Sequence, residues 1–222
     1  MAAPTPVEAP PPGPHQGLPA VRVGAVAGEA RAAAILVHGR GASPADILGL
    51  AKPLWRPEVA YVAPAAAGHT WYPQSFLAPL AANEPWLSSA LRRLRELVAE
   101  LGDEGLPPER LLVLGFSQGA CLTLEHAARC PQRYGGVVAL TGGLIGPPGT
   151  PRDYPGSLAG TPVFLGAGDP DPHVPWERVE ESAAVLERMG ARVRLERYPG
   201  LGHAIDADEL AAARELLDAT AG

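Results

Sequence analysis

Gly115-Phe116-Ser117-Gln118-Gly119 is the stretch that most limits what this chain can become. It follows the apolar run Leu111-Leu112-Val113-Leu114 and precedes Ala120-Cys121-Leu122-Thr123-Leu124-Glu125-His126-Ala127. That order reads as a strand, a sharp turn and a helix, with a serine at the tip of the turn: the G-x-S-x-G nucleophile elbow. A strained turn lifts the serine hydroxyl clear of the backbone, and only residues without a large side chain fit at the flanking positions. The helix that starts there aims its positive end and free N–H groups at the same point, where an oxyanion forms during acyl transfer. Gly and Ser are common, so the pentapeptide alone is a modest signal. The strand before it and the helix after it make it a strong one.

The scaffold for this turn has 222 residues to work with, which suits one domain with a substantial core. A formal net charge of −6 argues against nucleic acid or an anionic membrane surface as the main partner. No apolar run approaches the roughly 18 residues of a membrane span. Cys121 and Cys130 fall on the helix after the elbow, about 13.5 Å apart along it, beyond disulfide reach. They read as small buried apolar residues, and the cysteine usage fits a reducing, cytoplasmic compartment. Residues 1–20 are proline-rich, with neither a basic start nor an apolar h-region, and read as a disordered or extended tail rather than a secretory signal. Residues 21–222 then form a single domain.

Beyond the tail, strands and helices alternate. Ala33 to Val37, Val59 to Val62, Leu111 to Leu114, Gly136 to Leu140, Pro162 to Gly166 and Val193 to Tyr198 read as short strands. Asp46 to Leu54, Pro85 to Leu101, Gln118 to Arg129, Trp176 to Met189 and Asp206 to Ala219 read as helices. In the second of these, Leu87, Leu91, Leu94, Val98 and Leu101 recur at spacings of four and three. The strands are apolar on both faces, as parallel strands covered by helices must be. The expected architecture is α/β: a mostly parallel central sheet flanked by helices.

A nucleophilic serine needs a base, and the base needs an orienting carboxylate. In a sheet of this kind they follow in the order serine, acid, histidine, each at a strand's C-terminal end. His203 sits in the glycine-flanked loop after the last strand and is the base candidate. His15 in the tail, His38, His69, His126 and His173 are less well placed. The acid is Asp169 or Asp171, both in the loop after the strand ending at Gly166, and one of them serves as a turn cap. The loop His38-Gly39-Arg40-Gly41 is placed to supply a second oxyanion donor, so the pair would be the backbone N–H groups of Arg40 and Gln118. Trp71, Tyr72 and Phe76, in the long connection from Pro64 to Pro85, either line a substrate pocket or pack that loop onto the body, and Trp176 is read the same way.

Taken together, Leu36-Val37-His38-Gly39-Arg40-Gly41, Gly115-Phe116-Ser117-Gln118-Gly119-Ala120, Leu140-Thr141-Gly142-Gly143, Asp171-Pro172-His173-Val174-Pro175 and Gly202-His203 resemble the phospholipase/carboxylesterase branch of the α/β-hydrolases, which includes the acyl-protein thioesterases. The resemblance covers residues 22 to 220. It implies the α/β-hydrolase fold and a serine carboxylesterase acting on small-molecule esters, with Ser117, Asp171 and His203 as catalytic residues and no metal or organic cofactor. It makes Asp171 the acid and leaves Asp169 structural. The stretch Thr70 to Phe76 looks more like that of bacterial esterases in the branch than of the better-known thioesterases. Thioesterase- or lysophospholipase-type acyl hydrolysis, or acyl transfer, is the alternative activity, and a catalytically silent ligand-binding protein the rival from another class. Self-association as a homodimer stays open.

Overall fold

The computed structural model of the chain describes residues 13–222. Seven strands form one sheet: β1 (Ala20–Gly24), β2 (Ala32–Val37), β3 (Val59–Pro64), β4 (Leu111–Phe116), β5 (Gly136–Leu140), β6 (Pro162–Asp169) and β7 (Arg192–Pro199). Their spatial order is β1-β3-β2-β4-β5-β6-β7. Only β1, paired with β3, runs antiparallel. The helices are α1 (Pro44–Leu48), α2 (Ala51–Leu54), α3 (Trp86–Asp103), α4 (Gln118–Arg129), α5 (Trp176–Arg188) and α6 (Ala207–Ala221).

The two sheet faces are read off by alternation. In β2, Ala33, Ile35 and Val37 point into one apolar layer, covered by α3, α4 and α5. Ala32, Ala34 and Leu36 point into the other, covered by α1, α2 and α6. Both faces of the central strands are therefore dry, and the near-continuous apolar runs seen in the sequence follow from that.

The order of the strands places the site. After β2 the chain turns to one side, to β3; after β4 it turns to the other, to β5. A crevice opens outside the carboxyl ends of β2 and β4, where the connections diverge, and ligands of open α/β sheets bind in such crevices. The loop after β2 and the elbow after β4 are its two walls.

Several local readings differ from the structure. The expected tail lies outside the described residues as far as residue 12. From Gly13 onward it packs on the body: His15 is fully buried, its backbone N–H donating to Ser89 Oγ at 2.9 Å. The segment then leads directly into β1, an edge strand the sequence hides because four of its five residues are exposed. The helix expected from Asp46 to Leu54 is two short ones. Ser43 and Asp46 close a capping box at the start of the first, and Gly49, a poor helix former, ends it. The connection from Pro64 to Pro85 carries two 3₁₀ turns, Ala67–His69 and Leu80–Asn83, and sinks Trp71, Tyr72 and Phe76 into the core.

Candidate active site

Ser117 stands at the N-terminus of α4 with φ 55° and ψ −119°, the left-handed side of the backbone map, which few residues other than glycine visit. Two glycines make the turn sterically feasible. A Cβ at Gly115 would fall on the carbonyl of Gly119, and one at Gly119 on the carbonyl of Val37. The serine N–H donates to the Leu140 carbonyl of β5 at 3.0 Å, which ties the strained turn to the neighbouring strand.

The loop after β7 brings His203 over this hydroxyl, with Nε2 2.9 Å from Ser117 Oγ. On its other side, His203 Nδ1 lies 2.7 Å from Asp171 Oδ2. A carboxylate only accepts, so Nδ1 carries the proton, and Nε2 is the atom free to accept from the serine. The second oxygen, Asp171 Oδ1, accepts from the backbone N–H groups of His173 (2.7 Å) and Val174 (2.9 Å). Burial works against the charged form of Asp171. Those two N–H groups, helped by His203, outweigh it and hold the carboxyl below the usual range. Asp169 is elsewhere: it ends β6 and forms an ion pair with Arg197. The structure thus brings one of the two candidate aspartates to the histidine.

The loop after β2 approaches from the opposite wall. Gly39 comes so near that a Cβ on it would sit 3.4 Å from Ser117 Cβ, and Arg40 and Gln118 flank the serine from the two sides. The Arg40 guanidinium is held by its neighbours: Nη1 donates to Thr70 Oγ1 and the Pro73 carbonyl, Nη2 to the Gln74 carbonyl at 2.7 Å. The Gln118 side chain also grips this segment, donating from Nε2 to the Tyr72 carbonyl and accepting at Oε1 from the Trp71 N–H.

A cleft of about 540 Å³ opens above Ser117. Tyr72, Pro73, Phe76, Phe116 and Val174 give it apolar walls, and Gln74 and His173 polar ones. Of the four aromatic residues expected to line a pocket, Tyr72 and Phe76 do. Trp71 and Trp176 do not: Trp71 is fully buried behind the cleft, and Trp176 packs at the start of α5 under the guanidinium of Arg197, 5.4 Å from its ring centre. Residues not foreseen are Phe116, whose ring lies 5.3 Å from that of His203, His173, edge-on to His203 at 4.8 Å, and Cys121. Helical spacing could have found Cys121, one turn beyond Ser117 on the same face. The other histidines sit apart from the serine. Burial pushes His15 and His38 below the usual histidine range and His126 to about 4. Among the described residues, no three His, Cys, Asp or Glu side chains are arranged to hold a metal ion, and no helix is long and apolar enough to cross a membrane.

Comparison with known proteins gives the family and the fold. The family model described as Phospholipase/Carboxylesterase matches residues 19–221. Acyl-protein thioesterase 1 of Debaryomyces hansenii is 28% identical over an alignment of 231 positions, gaps included, that spans 91% of this chain and 97% of that protein. A phospholipase/carboxylesterase from Dyadobacter fermentans is 44% identical, superposes with a TM-score of 0.86, and is matched over 90% of this chain and 96% of its own. Esterase PE8 follows at 29% identity and a TM-score of 0.74, over 90% and 98%. The mostly parallel seven-stranded sheet with its flanking helices is the fold of these α/β-hydrolase esterases.

Proposed function

The chain belongs to the phospholipase/carboxylesterase family of hydrolases, and from that premise we propose that it is a serine carboxylesterase that cleaves small aliphatic or aryl esters through an acyl-serine intermediate. One observation carries the reading: Ser117, His203 and Asp171 form a continuous hydrogen-bonded chain, 2.9 and 2.7 Å long at its two links, at the floor of an open cleft.

The steps follow from the atoms present. Ser117 Oγ attacks the ester carbonyl carbon as its proton passes to His203 Nε2, and the carbonyl π pair moves onto oxygen. The oxyanion accepts from the backbone N–H groups of Arg40 and Gln118. Asp171, held as a carboxylate, stabilises the imidazolium through Nδ1–H. Collapse of the tetrahedral intermediate expels the alcohol, which takes the proton from Nε2. Water then attacks the acyl-serine with His203 again as base; the acid leaves and Ser117 regains its proton.

Stoichiometric labelling of Ser117 by a fluorophosphonate tests this. A folded, unlabelled protein would sink the idea. Thioester hydrolysis is the second reading, favoured by the full-length similarity to an acyl-protein thioesterase. It shares every step up to the leaving group, and turnover of matched p-nitrophenyl ester and acyl-CoA substrates separates the two. Both cysteines are free, in keeping with a cytoplasmic enzyme.

A further inference from the structure

We propose that Trp71 is a positioning residue of the oxyanion hole, bracing both of its N–H donors from behind. The role presupposes that Arg40 and Gln118 donate to the oxyanion, as in the reading above, and adds what keeps them in place. Trp71 is fully buried beneath the cleft, and each of its polar atoms is engaged. The indole Nε1–H donates to the His38 carbonyl at 2.8 Å, and the backbone N–H donates to Gln118 Oε1 at 2.9 Å. One residue therefore reaches both loops of the hole.

Each link bears on a donor. The His38 carbonyl leads into Gly39, whose lack of a side chain leaves that loop without restraint of its own. With the first peptide fixed by Trp71, the next is held at its far edge, where His38 Nδ1 lies 2.8 Å from the Gly39 carbonyl. The Arg40 N–H lies on the opposite edge of that planar unit. On the other loop, Trp71 N–H and Thr70 Oγ1 both donate to Gln118 Oε1 while Gln118 Nε2 donates to the Tyr72 carbonyl, so the residue that starts α4 is fastened through its side chain. His15 closes the brace from the N-terminal segment. Its Nδ1 accepts from Ala67 N–H at 3.1 Å, so its Nε2 carries the proton and donates to the Trp71 carbonyl at 2.9 Å.

Loss of the indole N–H should weaken transition-state binding and spare ground-state binding. The test compares the native protein with Trp71→Phe on p-nitrophenyl acetate and on an aryl trifluoromethyl ketone, whose hemiketal places an oxyanion in the hole. The expected result is a fall in kcat of about tenfold with KM changed by less than about twofold, and a parallel loss of affinity for the ketone. Fluorophosphonate titration comes first. A native protein that takes no label defeats the esterase reading itself. A labelled native protein whose Trp71→Phe variant keeps kcat and ketone affinity defeats the brace alone, as does a rise in KM at constant kcat, which would make Trp71 a wall of the pocket. If Trp71→Phe does not fold, 3-benzothienylalanine at position 71, with sulfur in place of the N–H, puts the same question, and unchanged kcat again overturns the proposal.

Discussion

Replacing Glu209 by Gln should change how the stability of this protein depends on pH. Glu209 is in the first turn of α6, six residues after His203, and is fully buried. One oxygen, Oε2, accepts from the Asp206 N–H at 2.7 Å; the other, Oε1, has no hydrogen-bond partner and lies against Gly166 of β6. Burial raises its carboxyl from 4.5 to about 7, and the nearby charge of Asp206 adds to this against the pull of the Asp206 N–H. The native state thus holds the proton more tightly than the unfolded chain. Its stabilising contribution is complete below pH 4.5 and is lost as pH rises through 7, when the buried carboxyl must ionise. The difference between 4.5 and about 7 corresponds to about 3 kcal/mol. The amide of the Glu209→Gln variant is neutral at every pH and keeps an acceptor for the Asp206 N–H. Urea unfolding of both proteins at pH 4.5, 6, 7 and 8.5 gives the difference directly, because all other titrating groups are common to both and cancel. The variant should gain on the native protein by about 3 kcal/mol between pH 4.5 and 8.5. Parallel stability curves would refute the reasoning, since they would mean that Glu209 titrates alike in both states.

Two further outcomes follow from packing around the serine. Gly119→Ala puts a methyl group on the backbone carbonyls of Val37 and His38, which cannot swing aside, and should destabilise by about 3 kcal/mol or more; an unchanged urea midpoint would contradict the close approach. Burial pushes the Cys121 thiol up to about 11 from 9.0, so at pH 8 iodoacetamide should alkylate it about 100-fold more slowly in the native protein than in urea, as mass spectrometry of the Cys121 peptide would show.

Much of the fold was legible because its signals are local. A strand buried on both faces reads as an unbroken apolar run, and α3 announces itself by the spacing of its leucines. The elbow could be recognised because its serine and both glycines fall within five residues, even though the carbonyl that Gly119 must clear belongs to Val37 of β2. What depended on distant contacts was hidden. β1 is an edge strand with most of its residues exposed, so it carries no apolar run. His15, in a proline-rich segment, acquires its place only when Ser89, Trp71 and Trp86 come to it from far along the chain. Asp169, which ends β6, and Asp171, just beyond it, stand two residues apart, and spacing could not choose between them. The choice lies in where the turn after β6 points each carboxylate, one to Arg197 and the other to His203.

Arg40 and Gln118 show the same divide within single residues. Their proposed backbone roles could be read from position alone, because a residue in the glycine loop after a strand, or after the elbow serine, has its N–H aimed by the turn whatever its side chain. Their side-chain roles could not be read, since the partners are carbonyls, a hydroxyl and an N–H group of the 70–74 segment, far from both residues along the chain. The structure joins the two. The segment that walls the cleft through Tyr72, Pro73 and Phe76 is fastened by the side chains of the residues whose backbones flank Ser117. A change in the shape of that wall therefore acts on residues beside the nucleophile, and a substitution at Arg40 or Gln118 that leaves the N–H intact still reshapes the cleft. On the proposed assignment of the two N–H donors, the wall of the cleft and the oxyanion hole form one mechanical unit, with the buried Trp71 at its back.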